Sequence, residues 1–181
     1  SNFNHIENDK DVELLTNQSS GGAAFVIAAG PSLTTRLEYI KKRLQDRDRP
    51  ICICLDTASK ALKSAGIIPD FVVSIDYLVA PHHHEFSDNS KTSLVYFPTL
   101  PPDIISGWKG ERYVAFGETA LFQEVKNFFS RGDLHSGGSV IHPATDLAVK
   151  MGCVDITFFG ADFSFSNGQS HAGWENVLPG N

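Results

Sequence analysis

Residues 25–33 read Phe25-Val26-Ile27-Ala28-Ala29-Gly30-Pro31-Ser32-Leu33, and the architecture expected for the whole chain follows from this run. Five consecutive apolar residues predict a strand, at about residues 24–29, that is buried on both faces of a sheet. The turn Gly30-Pro31-Ser32 ends the strand, and an amphipathic helix is expected from about Thr34 to Gln45. Ligands of open α/β sheets bind where the chain leaves the carboxyl edge of such a strand, and the N–H groups of the next helix favour an anion.

The alternation of strand and helix continues along the chain. Helices are expected around residues 58–66, from Glu118 to Phe129, and from about Val140 to Met151, with Pro143 in the first turn of the last one. Further strands are expected at residues 51–55, 71–75, 93–97, 112–116 and 155–159. The pattern predicts an α/β fold, a Rossmann-like three-layer domain with a mainly parallel central sheet of about six strands, because right-handed crossovers join strands that alternate with helices.

Composition divides the chain into two regions. Residues 1–22 are polar and end in Gln18-Ser19-Ser20-Gly21-Gly22, which is typical of a leader or linker. Residues 23–181 are expected to form the core domain. Because the sequence stops in a stretch typical of a loop, we expect this domain to be truncated at its C-terminus.

The composition also restricts the function. With 41% hydrophobic residues among 181, the chain can bury a proper core. The net charge of −6 disfavours a nucleic-acid partner, and no apolar run is long enough for a membrane span. Of the three cysteines, Cys52 and Cys54 alternate in a predicted buried strand, so core packing is expected rather than redox chemistry or metal binding. Free thiols and the lack of a signal-peptide pattern predict a cytoplasmic location.

Two glycine-containing turns are candidate phosphate sites. At Gly30-Pro31-Ser32-Leu33 the glycine lets a ligand approach the backbone, although the turn matches neither a dinucleotide fingerprint nor a P-loop. At Ser136-Gly137-Gly138-Ser139, amides and hydroxyls in front of a helix can fold around a phosphate. The alternatives are a plain structural turn in the first case and a flexible loop with a serine helix cap in the second.

Three carboxylates, Asp56, Asp76 and Asp162, each follow a predicted strand. At the carboxyl edge of a sheet they can bind ribose hydroxyls, hold Mg²⁺ or act as a base. Aspartate after a strand is also a common turn and cap residue, so the hypothesis depends on the three occurring together.

Histidines supply the remaining candidates. His171, nine residues after Asp162, is a candidate general acid or base because the histidine pKa lies close to neutral pH, although an isolated loop histidine is more often simply solvated. Adjacent residues such as His82-His83-His84 seldom all ligate one ion, and no H-E-x-x-H pattern supports a metal site there. A mobile substrate loop is expected instead, and no metal ligand is assigned in the leading hypothesis.

The motifs also occur in an order that is specific for one superfamily. They span about residues 23–173 and comprise Ala29-Gly30-Pro31-Ser32-Leu33; Ala65-Gly66-Ile67-Ile68-Pro69-Asp70-Phe71 leading to Asp76; Gly137-Gly138-Ser139 with Ala144 and Ala148; and Phe159-Gly160-Ala161-Asp162-Phe163-Ser164 with Gly168 and His171-Ala172. In these motifs the chain resembles the core domain of the motility-associated factor (Maf) glycosyltransferases, which is shared with archaeal 6-hydroxymethylpterin diphosphokinase of the MptE-like family.

This resemblance implies a Rossmann-like domain that binds a nucleotide-linked substrate. The Maf branch moves an activated nonulosonic, sialic-like sugar to flagellin Ser or Thr, whereas the pterin branch moves diphosphate from ATP with Mg²⁺. This chain has Ser74-Ile75-Asp76-Tyr77 where the pterin enzymes carry more acidic residues, and His171-Ala172-Gly173-Trp174 where they have a His-Ala-His-Gly-Asp run. Both departures favour the glycosyltransferase branch.

The leading hypothesis is therefore a nucleotide-sugar-dependent glycosyltransferase-like domain that transfers a CMP-activated nonulosonic sugar to a protein or glycan hydroxyl and requires no cofactor. The residues expected to bind the nucleotide are Gly30, Pro31, Ser32, Leu33, Asp56, Asp76, Gly137, Gly138 and Ser139. His171 or Asp162 would take the proton of the acceptor hydroxyl. The alternatives are a Mg-ATP-dependent diphosphokinase, with Asp76 and Asp162 on Mg²⁺, and a non-catalytic nucleotide-binding module.

Overall fold

The computed structural model describes residues 2–75, 90–137 and 139–162. Its strands are β1 (Lys10–Asp11), β2 (Ala23–Ile27), β3 (Ile51–Leu55), β4 (Phe71–Ser74), β5 (Ser93–Tyr96), β6 (Arg112–Val114) and β7 (Asp155–Phe159). Within the described residues they form one seven-stranded sheet in the order β1-β6-β5-β4-β3-β2-β7, and every pair is parallel. The predicted parallel α/β fold is confirmed, and the short β1 is the one strand beyond the six that the sequence predicts.

Helices connect these strands. They are α1 (Phe3–Asn8), α2 (Leu37–Arg43), α3 (Ser59–Ser64), α4 (Pro102–Gly107), α5 (Ala120–Lys126) and α6 (Ile141–Lys150), with short 3₁₀ helices at Val12–Leu15, Pro31–Arg36 and Asp56–Ala58. From β2 to β6 each strand lies beside the one before it, and α6, which packs on β2 and β3, then returns the chain to β7 on the other side of β2. None of the described helices combines the length and apolar character needed to cross a membrane.

The helix boundaries differ from the expected ones where proline is involved. The helix expected from Thr34 starts earlier, as the 3₁₀ helix Pro31–Arg36, because Pro31 fits a first helical position. Pro143 lies in the first turn of α6, as predicted. The sequence pattern predicts no helix at α4, yet Pro102 begins one there, and its residues Ile104 and Ile105 are buried. The periodicity of a proline-rich stretch does not indicate a helix. The first position of a helix nevertheless accepts proline without the loss of a hydrogen bond.

The N-terminal segment also differs from the expected leader, because it contributes to the sheet and to the core. The strand β1 pairs with β6, so the segment forms one edge of the sheet. Ile6 of α1 and Val12 and Leu15 of the following 3₁₀ helix are buried. The strand has only two residues, both charged, so nothing in the local pattern predicts it. Its place is set by β6, about a hundred residues further along the chain.

A buried carboxylate fixes this segment to the sheet. Asp9 accepts a hydrogen bond from the Tyr96 hydroxyl at 2.8 Å and two from the Arg112 guanidinium, from Nε at 3.0 Å and from Nη2 at 2.8 Å. The Asp9 side chain is only 5% exposed, so both of its carboxylate oxygens depend on these donors. The segment is thereby held to β5 and β6 by charge as well as by packing.

The cysteines pack as predicted. Cys52 and Cys54 lie in β3, are fully buried and carry free thiols, and Cys153 is also free and buried. Burial raises the pKa of the Cys52 and Cys54 thiols, because a thiolate would lose its hydration there. The thiols therefore act as small apolar groups of the core.

Candidate functional site

The order of the strands places a crevice beside β2. The chain leaves β2 for β3 on one side, whereas β7, on the other side, is reached only after the sheet has been crossed. A position where the strand order reverses in this way is a topological switch point, and ligands of open α/β sheets bind at its carboxyl edge. Gly30 and Ser32 follow β2 at this edge, and Asp162 follows β7.

Ser32 and Asp162 are in direct contact across the crevice. The Ser32 amide donates to Asp162 Oδ2 at 2.8 Å, and the Ser32 hydroxyl donates to Asp162 Oδ1. These are the donors that the sequence assigned to a phosphate. A phosphate that bound to these donors would have to displace the Asp162 carboxylate. The anion that Ser32 binds in this structure is therefore a side chain of the protein itself.

Two glycines allow the two loops to approach each other. The Gly30 amide donates to the Gly160 carbonyl at 2.7 Å. A Cβ at Gly30 would collide with that carbonyl and would lie 2.6 Å from Asp162 Oδ2. Gly160 has φ +64°, and a Cβ there would collide with the carbonyl of Ala28. Glycine at both positions is therefore a condition for the Ser32–Asp162 contact.

The remaining residues of the first turn have structural roles. Pro31 begins the 3₁₀ helix that follows Gly30. Leu33 is fully buried and its amide donates to the Gly30 carbonyl at 3.0 Å. The structure therefore corrects the nucleotide-binding role predicted for Leu33: both its side chain and its amide are used inside the protein.

Asp56 lies at the carboxyl ends of β3 and β4 and is buried. Its residue is 1% exposed, Oδ2 accepts the Ser74 hydroxyl at 2.6 Å and Oδ1 accepts the Thr57 amide at 2.6 Å. This arrangement ties the end of β3 to the end of β4. A ribose contact by Asp56, which the sequence predicts, would require this carboxylate to become accessible.

The second predicted turn is only partly described. Gly137 is exposed, and Ser139 is half-buried and accepts the His142 amide at 3.1 Å through its carbonyl, at the start of α6. Other predicted site residues lie outside the described part of the chain: Asp76, Gly138, His171 and the run His82-His83-His84.

A pocket of about 650 Å³ lies beside α6 and β7. Its apolar lining residues are Ile141, Val149, Phe158 and Ala161, and its polar ones include His135, His142 and Asp146. Ala161 directly precedes Asp162, so the pocket adjoins the crevice at the switch point. Pockets of this size and character hold small organic ligands.

His135 is the most strongly connected polar group of this pocket. Its Nδ1 lies 2.9 Å from Oε2 of Glu118, and its amide donates to Oδ2 of Asp146 at 2.9 Å. The hydrogen bond and charge of Glu118, with the charge of Asp146, raise the pKa of the His135 imidazole. The ring of His142 lies 5.9 Å from that of His135, between centroids.

These two histidines are not among the site residues predicted from the sequence. His135 and His142 are isolated in the sequence, on either side of Gly137-Gly138-Ser139, and apolar periodicity does not mark an exposed residue of a loop, such as His135, or of a helix, such as His142. Their position in the sequence could have indicated them, because His135 and His142 flank a turn that was predicted to bind phosphate.

The described residues contain no group of three or more His, Cys, Asp or Glu side chains arranged to hold a metal ion. At the crevice they supply one carboxylate, Asp162, whose oxygens already accept from Ser32. A magnesium ion there would need further oxygen ligands, which substrate phosphates commonly provide.

A parallel sheet with its crevice at a switch point defines a Rossmann-like α/β domain, and the comparisons agree with this class. The sequence model of the family described as 6-hydroxymethylpterin diphosphokinase MptE-like matches residues 1–168. The chain therefore belongs to the MptE-like family. A search of curated proteins found no match.

A solved structure shows the same fold. The chain is similar to the Maf glycosyltransferase from Magnetospirillum magneticum AMB-1, with a TM-score of 0.69 and 23% sequence identity. The similarity covers 91% of this chain and 28% of the Magnetospirillum chain. This chain thus spans little more than a quarter of that protein, and the likeness concerns the fold.

Proposed function

We propose that this chain is a nucleotide-sugar-dependent glycosyltransferase-like domain that transfers an activated, CMP-linked nonulosonic sugar to a hydroxyl of a protein or glycan. The observation that carries the proposal is the Ser32–Asp162 pair at the switch point, beside a pocket of about 650 Å³. The crevice position suits a nucleotide, and a partly exposed carboxylate oriented by Ser32 can act as a proton acceptor.

In this proposal Asp162 takes the proton of the acceptor hydroxyl as the oxygen attacks the sugar, and Ser32 orients the carboxylate. Amides and hydroxyls of the turn at residues 137–139 stabilise the charge that develops on the leaving nucleotide, because the Gly30 and Ser32 amides already donate to Gly160 and Asp162. Asp76 contacts the ribose or base, since the Asp56 carboxylate is buried, and His171 is a second candidate for acid–base work. A protein acceptor of the flagellin type is the finer expectation that the resemblance to Maf enzymes supports.

A diphosphokinase is the second candidate, and membership of the MptE-like family favours it. In that reaction Mg²⁺ would be held by Asp162 and Asp76, and it would neutralise the phosphates of ATP. A third possibility, a module that binds a nucleotide without turnover, predicts the same crevice but no product.

The cytoplasm is the location we propose for either activity. The three free, buried thiols support it, because oxidising compartments favour disulfides.

A thermal-shift panel tests the function. CMP, UDP, GDP and ATP are each added with and without Mg²⁺, and a ligand at 100 times its Kd raises the Tm by about 5–10 °C for a domain of this size. Stabilisation by CMP without metal, together with CMP release from a CMP-linked nonulosonic sugar, supports the glycosyltransferase. Stabilisation by ATP only with Mg²⁺ overturns it in favour of the kinase.

A variant then separates transfer from binding. Asp162→Asn is expected to lower turnover at least a hundredfold, as for loss of a general base. Asp48→Asn is the matched control, because the Asp48 side chain is 88% exposed and precedes β3, at the edge of the sheet opposite the crevice. Equal turnover in the two variants would exclude Asp162 as the base.

A further inference from the structure

The two edge strands of the sheet differ in length and charge. β1 forms one edge, and it has only two residues, both of them charged. Within the described residues β7 forms the other edge, and it has five residues, with a single charge at its first position, Asp155, and neither lysine nor proline. Proteins protect edge strands from pairing with other chains by making them short, charged or interrupted by proline. β1 is protected in this way, whereas β7 is open to pairing with another strand.

Apolar side chains around β7 are also exposed. Phe158 of the strand is 46% exposed, and Val154, directly before it, is 78% exposed. More than half of the Tyr39 side chain is exposed where its ring lies 6.1 Å from that of Phe159, and Val149 of α6 is as exposed beside Phe158. Of the eight large hydrophobic residues exposed in the described part of the chain, four therefore surround β7. A patch of this kind marks an interaction surface.

The backbone of β7 presents hydrogen-bonding groups on its open side. The Phe159 carbonyl accepts the Ala28 amide at 2.8 Å, so the backbone groups of Phe159 point toward β2. Because the direction of these groups alternates along a strand, those of Thr157 also face β2, whereas Ile156 and Phe158 direct theirs away from it. A further strand could pair with these two residues.

The order of residues in β7 is complementary to itself. In an antiparallel pair of β7 strands centred on Thr157, Ile156 lies opposite Phe158 of the second copy, and Asp155 lies opposite Phe159 of the second copy. Ile156 and Phe158, which both direct their backbone groups outward, then form the hydrogen-bonded pairs, twice by symmetry. No like charges are opposed, and pairs of a β-branched with an aromatic side chain stabilise a sheet.

We infer that β7 pairs antiparallel with β7 of a second copy of this chain, which joins the two sheets across a two-fold axis at Thr157. One pair of short strands buries little surface, and a stable dimer needs about 1,200–2,000 Å². Tyr39 and Val149, on the helices that flank β7, widen the contact on the two faces of the sheet. The inference concerns assembly, and it does not depend on the transfer activity proposed above.

The test is sedimentation velocity of the 181-residue chain over a dilution series in the micromolar range. We expect a species of twice the mass of one chain, which dissociates on dilution. Thr157→Lys and Thr157→Glu each bring two like charges together at the two-fold axis, so each should weaken the dimer about tenfold or more. An equimolar mixture of the two variants should restore it, because lysine then meets glutamate. Thr157 is exposed in one copy, so both variants are expected to fold, and their Tm checks this.

Phe128→Lys is the control for loss of an exposed hydrophobic residue. Phe128 is 82% exposed, but it follows α5, and its neighbour Phe129 stacks on Phe3 of α1, next to the other edge strand. This variant should dimerise like the unchanged chain. Hydrogen exchange provides a second measurement, because the amides of Ile156 and Phe158 should exchange slowly in the dimer and fast in Thr157→Lys.

Three results would overturn the inference. The first is a chain that stays monomeric at the highest concentration. The second is a dimer that Thr157→Lys leaves intact, or that Phe128→Lys weakens equally, since the contact would then lie elsewhere. The third is a mixture of the two Thr157 variants that does not dimerise, because opposite charges at the axis must restore an antiparallel pair centred on this residue.

Discussion

Asp162 accepts both hydrogen bonds that Ser32 can donate, and the two residues are 130 positions apart in the chain. Removing the carboxylate by Asp162→Ala leaves the Ser32 amide and hydroxyl without their acceptor. Because the pair is partly open to solvent, we expect the free energy of unfolding to fall by about 1–2 kcal/mol. Urea denaturation measures this, and Asp48→Ala is the control, with no change expected. An unchanged stability of Asp162→Ala would mean that the pair contributes nothing to folding.

Gly160→Ala tests the close approach of the two loops. At φ +64° an added Cβ is strained, and it would collide with the carbonyl of Ala28. We expect a loss of at least about 2 kcal/mol, measured by chemical denaturation. Gly107→Ala provides the matched comparison, since a Cβ at Gly107 meets nothing within 4 Å, and its effect should stay within about 0.5 kcal/mol. Equal effects of the two substitutions would contradict this account.

Asp9→Ala tests the attachment of the N-terminal segment. The substitution leaves the Arg112 guanidinium without its buried partner, so we expect a loss of about 3 kcal/mol. The neighbouring Lys10→Ala removes an ion pair whose side chains are 47% and 53% exposed, and it should cost less than about 1 kcal/mol. Thermal and urea unfolding give both values. A larger loss of stability for Lys10→Ala than for Asp9→Ala would mean that Lys10, and not Asp9, attaches the N-terminal segment to the sheet.

The pH dependence of His135 follows from Glu118. Because the carboxylate stabilises the imidazolium, the His135 pKa in the folded chain is raised above its ordinary value of 6.5. Because the pKa of His135 is higher in the folded than in the unfolded chain, protonated His135 stabilises the fold at pH values below its pKa in the unfolded chain. This stabilisation is lost as the pH rises through the pKa of His135 in the folded chain. An NMR titration should show Glu118→Gln lowering the pKa of His135. If the titration curve of His135 is the same in this variant, the contact is not formed in solution.

The sequence predicted the sheet well because its strands carry their own signal. Runs such as residues 51–55 are continuously apolar and strand-length, and the strand is observed at Ile51–Leu55. The elements that were missed, α1, β1 and α4, are short and depend on tertiary contacts: α1 on burial of Ile6, β1 on the edge of β6, and α4 on burial of Ile104 and Ile105. The local sequence pattern does not predict an element whose structure is determined by tertiary contacts.

The candidate site was predictable in its parts but not in its contacts. Ser32 and Asp162 were selected because each follows a predicted strand. Their contact, however, depends on β7 lying beside β2, and the local sequence of neither strand specifies that pairing. Likewise, Gly137 was selected as part of a candidate phosphate-binding turn, whereas its contacts with His135 and His142 depend on how that turn folds onto α6.

The pairing of β2 with β7 has a consequence for the order in which the protein folds. During synthesis β2 emerges before β7, and the strand that completes the second edge of β2 follows more than a hundred residues later, on the order of ten seconds at ordinary elongation rates. Until then one edge of a highly apolar strand is unpaired and prone to aggregation. The crevice therefore forms only after β7 has been synthesised and has paired with β2.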